Sequence, residues 1–222
     1  MPCEAGIQRR CAGVLLTLGG VPARLAYALL TLCLCAAAAV VGSLLALRGD
    51  DGRAAVPAAP GGFAGATRPP GATAPDLRLR DPDGELVRMR SLRGRPVVVT
   101  FLYSHCEDTC PGQVQTIRGA LDDLGRDVPV LGVSVDPAND TAASAKRFVN
   151  EQRMTGRMRF LLGSERELAP IWKAYGIAPQ RGRLDHSAYI VLVDAAGRQR
   201  VGFPHSVVTD AALAHDLRLL GA

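Results

Sequence analysis

The stretch "VVVTFLYSHCEDTCPGQVQTIRGAL", Val97 to Leu121, constrains the fold more than any other part of the chain. Its β-branched apolar start suits a strand buried on both faces. The run breaks into a loop carrying Cys106 and Cys110. Pro111 and Gly112 follow, and then Val114, Ile117, Leu121 and Leu124 at helical spacing. A buried strand that feeds straight into a helix belongs to a layered α/β domain rather than a sandwich.

The flanking sequence extends that pattern. From Asp76, "LRLR", "DPDG" and "ELVRM" read as a short hairpin. "VPVLGVSV", 128–135, is a second buried strand. In "DPANDTAASAKRFVN", Asp140 or Thr141 caps a helix reaching about Asn150. "MRFLLG" is a short strand. "SERELAPIWKAYG" is a helix with Ser164 as N-cap, Glu167 at the capping-box position and Gly176 as its stop. "SAYIVLVD", "AAG" and "RQRVGF" form a strand, a turn and a strand, and Thr209 to Leu220 is a final amphipathic helix. This order is that of a thioredoxin-like fold with an N-terminal β-hairpin, spanning 76–222. Trp172, the sole tryptophan, falls at an apolar helical position and is expected in the core.

Ahead of this domain the sequence changes character. Leu25 to Leu47, "LAYALLTLCLCAAAAVVGSLLAL", holds 23 residues without a charge. At about 1.5 Å per residue such a helix crosses a bilayer core of roughly 30 Å. Arg9, Arg10 and Arg24 precede it, so 1–24 is expected in the cytoplasm and the C-terminal domain on the far side of the cell membrane. The apolar run continues past Ala36–Ala39, where a signal peptidase would cut, which favours an uncleaved transmembrane anchor. Residues 48–75 are rich in Ala, Gly and Pro, show no apolar period, and read as a flexible linker. The net charge of +5 is scattered, with no basic tract interleaved with aromatics, which excludes an evident nucleic-acid site.

Cys3, Cys11, Cys33 and Cys35 lie in the N-terminal region, which leaves Cys106 and Cys110 as the only cysteines of the exported domain. An oxidising compartment permits a disulfide there. One bridge across so short a loop constrains little of the unfolded chain, so a purely structural role is a weak explanation. If the turn is helical, residues i and i+4 face one way, and two soft thiolates on one face suit Cu(I) or Zn(II). The alternative is a redox couple, with Cys106 attacking and Cys110 resolving. A thiol peroxidase is a third reading, although nothing assigns Thr109 or the arginines to it.

A metal needs a further donor. Of His105, His186, His205 and His215, the one placed for it is His186, in "RLDHSAYIVLVD" directly before a strand. In a thioredoxin fold that entry loop packs against the cysteine loop. A proline usually stands there in redox thioredoxins, and here the residues are Asp185, His186 and Ser187. The bland reading is a strand-entry histidine with its own partner. Asp136, at a strand end on the cysteines' rim, is weighed as a residue that tunes the site or contacts a partner, against ordinary turn and cap chemistry for it and Asp140 in "DPANDT".

At these residues the chain resembles the Sco/SenC family of copper proteins. "FLYSHCEDTCP", "LGVSVDPANDT" and "DHSAYIVLVDAAGR" are similar to three family motifs, in family order, across about 76–222. The anchor and linker match the family's layout. The resemblance implies that Cys106, Cys110 and His186 bind copper, Cu(I) above all, with Cu(II) left open. It also implies delivery of copper to a cytochrome oxidase copper centre, or help in its assembly. The partner would be the copper-accepting subunit or other assembly factors. Thiol-disulfide exchange with a partner protein is the enzymatic alternative. Glu107 stands where the family has proline, and Ser104 departs from the usual threonine.

Overall fold

The computed structural model describes residues 22–48, 62–179 and 188–222. The chain divides into two units, Met1–Arg53 and Ala54–Ala222. In the first, Ala23–Arg48 forms the helix α1. Its described side chains from 27 to 40 are exposed. Among the described residues no helix is long and apolar enough to cross a membrane, and the side chains of 41–48, where the apolar run continues, lie outside that description.

The second unit is built on a six-stranded sheet. Its strands are β1 (Ala66–Thr67), β4 (Val97–Leu102), β5 (Val130–Ser134), β6 (Met158–Leu161), β7 (Tyr189–Val193) and β8 (Gln199–Pro204). Their spatial order is β1-β8-β7-β4-β5-β6. β4, β5 and β6 run parallel, while β7 is antiparallel to both β4 and β8. The expected hairpin is present as β2 (Arg78–Arg80) and β3 (Leu86–Arg88), outside the main sheet. This is the mixed α/β architecture anticipated from the element order.

Period-two burial of the central strands makes two cores. Val98 and Leu102 of β4, with Ile190 and Leu192 of β7, face one side. There they meet Ile117 and Leu121 of α2 (Thr109–Leu124), Phe148 of α3 (Ala142–Glu151) and Leu213 and Leu217 of α5 (Asp210–Leu219). Val97, Val99 and Phe101, with Val191 and Val193, face Leu168, Trp172 and Tyr175 of α4 (Glu165–Tyr175) and the hairpin residues Leu79 and Val87. Trp172 is core, as expected, and its Nε1–H donates to the Ser134 carbonyl at 2.9 Å.

The helix ends follow their sequence signals. α4 carries the capping box of Ser164 and Glu167 and stops at Gly176 in the left-handed region, φ 72°. α3 is capped by Thr141, which accepts from the Ser144 N–H, and not by Asp140. α2 starts at Thr109, three residues before Gly112, where its apolar spacing first shows.

The linker reading of 48–75 does not extend through 62–75. Phe63 packs on the first core, Ala74 is buried, and β1 pairs with the edge of β8. Asp216 on α5, with no exposed surface, accepts the N–H groups of Ala64 at 2.7 Å and Gly65 at 3.0 Å. A carboxylate saturating two backbone donors can order a segment that has no apolar period of its own. In the full-length chain, Asp216→Ala is expected to lose about 2 kcal/mol of stability, because it removes a charged acceptor and strands two half-buried donors. A shift of the urea midpoint measures this, and an unchanged midpoint would show that the strap contributes nothing.

Candidate metal centre

β4 delivers the cysteine loop at its C-terminal end, where the parallel strands of an α/β sheet commonly present a site. Cys106 lies before α2, and Cys110 is in its first turn. The two are therefore not simply i and i+4 of one helix. The loop instead folds Cys106 back over the helix start. The Cys106 N–H donates to the Tyr103 carbonyl at 3.3 Å, and the Cys110 N–H donates to Cys106 Sγ at 3.2 Å. Asp108, at the N-cap position, makes no side-chain cap hydrogen bond, so the sulfur accepts one of the N–H groups that a helix start leaves unpaired. Both cysteines are buried and neither is in a disulfide.

The two thiols are electrostatically unlike. A hydrogen bond from Cys110 holds Cys106 well below the ordinary thiol range, although burial opposes this. The Cys110 N–H and the hydroxyls of Tyr103 and Thr109 act in the same direction as the Cys110 bond. Cys110 is pushed far up by the bond it gives to Cys106 and by burial. The dithiol thus shares one proton over a wide pH range, as a coupled pair. Tyr103 is raised by desolvation and by its bond to Cys106.

A hydrogen-bonded clamp holds the loop. Asp140 accepts the Ser104 N–H and the Ser104 hydroxyl, each at 2.7 Å, and the Ser134 hydroxyl at 2.5 Å. Burial raises the Asp140 carboxyl, while these donors pull it back. Asp140 therefore joins the ends of β4 and β5 to the cysteine loop, a role that sequence reading missed. A Ser beside the cysteines and an Asp at the end of a neighbouring strand were its only signals. Asp136 does make turn chemistry, accepting Asn139 Nδ2 at 2.9 and 3.0 Å.

The histidines divide clearly. His105 is exposed, and its Nδ1 is 3.1 Å from Ser104 Oγ. His215 sits on α5 with Nε2 3.2 Å from the Gly62 carbonyl. His205 stands against the cysteines' helix, since a Cβ on Gly112 would be 3.2 Å from its Cε1. His186 lies outside the described residues, as does the whole of 180–187. Among the described residues no group of three His, Cys, Asp or Glu side chains could hold a metal. Cys106 and Cys110 are the two soft sulfurs that the fold brings together.

The thiol asymmetry carries a pH dependence of definite sign. A thiol whose folded value is depressed stabilises the fold above its unfolded value, and that contribution is lost as pH falls through the folded value. Cys110, raised, does the reverse and weakens the fold as pH climbs above the ordinary thiol range. The reduced protein is therefore expected to show one more thiolate at neutral pH than Cys106→Ser does, by ultraviolet thiolate absorbance. Titration of that thiolate near about 8.5, the free-thiol value, would refute the asymmetry. Tyr103→Phe should move it toward that value.

A family model described as SCO1/SenC matches residues 65–220. Among curated proteins, Protein SCO1 homolog 1, mitochondrial, of Arabidopsis thaliana is 29% identical over 117 residues, covering 51% of this chain and 34% of that protein. Protein SCO2 homolog, mitochondrial, of Mus musculus is 31% identical over 136 residues, 55% of this chain and 52% of that one. The chain thus spans between a third and about half of these relatives. Among solved structures, Bradyrhizobium japonicum ScoI with copper bound superposes with a TM-score of 0.52 at 27% identity, over 70% of this chain and 98% of that one. Arabidopsis thaliana ScoI with copper bound gives 0.58 at 21% identity, over 70% and 96%.

Proposed function

Because the chain belongs to the SCO1/SenC family, we propose that it is a membrane-anchored copper-binding protein that supplies copper to, or helps assemble, the copper centre of a cytochrome oxidase. The observation that carries this reading is the pair of unbridged, buried thiols at the start of α2, one of them held toward its thiolate. Soft sulfur donors of this kind suit Cu(I), as they also suit Zn(II). Bradyrhizobium japonicum ScoI, similar over most of its length, carries copper in its solved structure. We assign His186 as the third ligand, on its place before β7 and on the family motif it matches.

Copper here is cargo. Cys106 and Cys110 must both be reduced to hold it, and three ligands leave an approach open for a partner's donor. Exchange then proceeds by adding an incoming ligand while one of the three lets go. Oxidation of the free pair to a disulfide, which gives two electrons to an acceptor and releases the one proton the pair shares, removes both sulfur donors and links copper release to the redox state of the pair. The first turn of α2 supplies the geometry, and the Asp140–Ser104 clamp keeps Cys106 over it.

The segment 25–47 serves as the anchor, with the copper-binding unit outside the cytoplasm. Its support is the uncharged apolar sequence and the helical backbone of α1, about 39 Å long at 1.5 Å per residue. A mature N-terminus beyond Ala36 in exported protein would refute the uncleaved anchor.

The unequal thiols favour one second reading, a thiol-disulfide oxidoreductase. Cys106 thiolate would attack a partner's disulfide, releasing one partner thiolate and forming a mixed disulfide. Cys110, once deprotonated, would displace the second. The two readings share the cysteines and separate at His186. His186→Ala is expected to weaken Cu(I) binding at least tenfold, about 1.4 kcal/mol. The same change should leave the dithiol potential within about 30 mV. Cys110→Ser should abolish tight copper binding. Normal oxidase assembly in His186→Ala cells, with failure in Cys106→Ser cells, would overturn copper delivery in favour of thiol exchange.

A further inference from the structure

The hairpin of β2 and β3 stands outside the main sheet and covers the second core with one face, through Leu79 and Val87. Its other face is rich in arginine. Arg78 and Arg80 of β2 alternate outward around the buried Leu79, and Arg88 of β3 does the same beside Val87. Arg78 stands directly across from Arg88, and Arg80 across from Leu86, which is 39% exposed. Arg90 is exposed on the short turn that follows, Met89–Leu92. Arg95, also exposed, shares with Leu86 a cleft of about 280 Å³. The fold thus gathers on one surface positive charge that looks scattered along the chain.

The carboxylates close to this surface are already engaged. In the hairpin turn Asp83 pairs with Lys146, while Asp81 and Glu85 pair with Arg159. Asp127, which lines the cleft, is held by Arg157 at 2.8 Å. Asp76 accepts the backbone N–H of Arg90 at 3.2 Å. Among the described residues none of Arg78, Arg80, Arg88, Arg90 and Arg95 lies in an ion pair. Like charges directly opposite one another on paired strands weaken a hairpin. Arg78 and Arg88 therefore work against the fold, and neither belongs to its core.

We propose that this face docks on an anionic bilayer surface, with its guanidinium groups on lipid phosphates and Leu86 at the headgroup boundary. A guanidinium pairs with phosphate oxygens through two parallel N–H donors. A bilayer interface takes up an apolar side chain ringed by basic ones, which fits the exposed leucine among the arginines. The proposal rests on the reading of 25–47 as an anchor. An anchored chain has lipid within its own reach, so that individually weak arginine contacts act at high effective concentration.

The test uses the full-length chain reconstituted into vesicles of phosphatidylcholine, alone or with about 30% phosphatidylglycerol. Amide hydrogen exchange across 77–95 should slow at least about threefold with the anionic lipid and recover in about 0.5 M salt, which screens the attraction. Exchange in α5 should not change. Arg78→Gln, Arg88→Gln and Arg95→Gln together should abolish the slowing. That variant should also unfold at the same temperature or higher, because it removes a like-charge pair. Should it fail to fold, Arg78→Gln with Arg90→Gln, at two exposed positions, is read in the same way. Equal exchange in the two lipids, or slowing that survives the salt or the substitutions, would overturn the proposal. Slowing by added polyglutamate and not by the anionic lipid would also overturn it, and would give the face to an acidic protein partner. Release of the chain from the vesicles by alkaline carbonate tells against the anchor alone. The released chain is then sedimented with the same vesicles, where binding should still need the anionic lipid and the three arginines, and binding indifferent to either refutes the docking face.

Discussion

The hydrogen bond from the Cys110 N–H to the Cys106 sulfur joins the fold to its chemistry. The first N–H groups of a helix point at nothing within the helix, and at the start of α2 the Asp108 side chain does not take one up. A sulfur does. The hydrogen bond from the Cys110 thiol, and after it the Cys110 N–H at the helix start, favours the thiolate form of Cys106. The same fold-back sets the neighbouring Cys110 thiol against that sulfur, where it keeps its proton. The fold-back of Cys106 over the helix start therefore forms the loop, starts the helix and, by setting one thiol against the other, makes the two unequal.

That contact is useful only if the loop cannot drift, and the surrounding side chains see to this. Asp140 reaches from beyond β5 to both polar groups of Ser104, and shares its second oxygen with Ser134. Trp172 binds the backbone of Ser134 from the opposite core. Gln113 binds the start of β7 from below the helix. Each is a buried or half-buried polar bridge at the same edge of the sheet, where hydrogen bonds are strong because water is scarce and breaking one is costly.

Much of this was legible in advance, for physical reasons that differ by element. The capping box of α4 and the αL glycine that ends it are local chemistry, complete within a few residues, and they stand as read. The hairpin from Arg78 to Arg88 follows from alternation around a turn. The strap at 62–75 was not legible, because nothing in its own composition orders it. Its partners are Asp216 and the edge of β8, well over a hundred residues away. Asp140 was read as turn or cap because "DPANDT" satisfies both locally. Thr141 in fact caps α3, which leaves Asp140 for the cysteine loop.

The sequence by itself determined the strand-loop-helix unit, the order of alternating elements, and the residue types at the site. Those depend on periodicity, on turn residues and on which side chains carry sulfur or imidazole. Only the tertiary structure decided that Cys106 stands outside the helix, that one thiol is favoured as thiolate over the other, and that Asp140, Gln113 and Asp216 are bridges rather than surface. The reason is that these depend on distance and burial between segments remote in sequence. A carboxylate or amide shows its partner only when the chain has brought one within hydrogen-bond reach and excluded water from both.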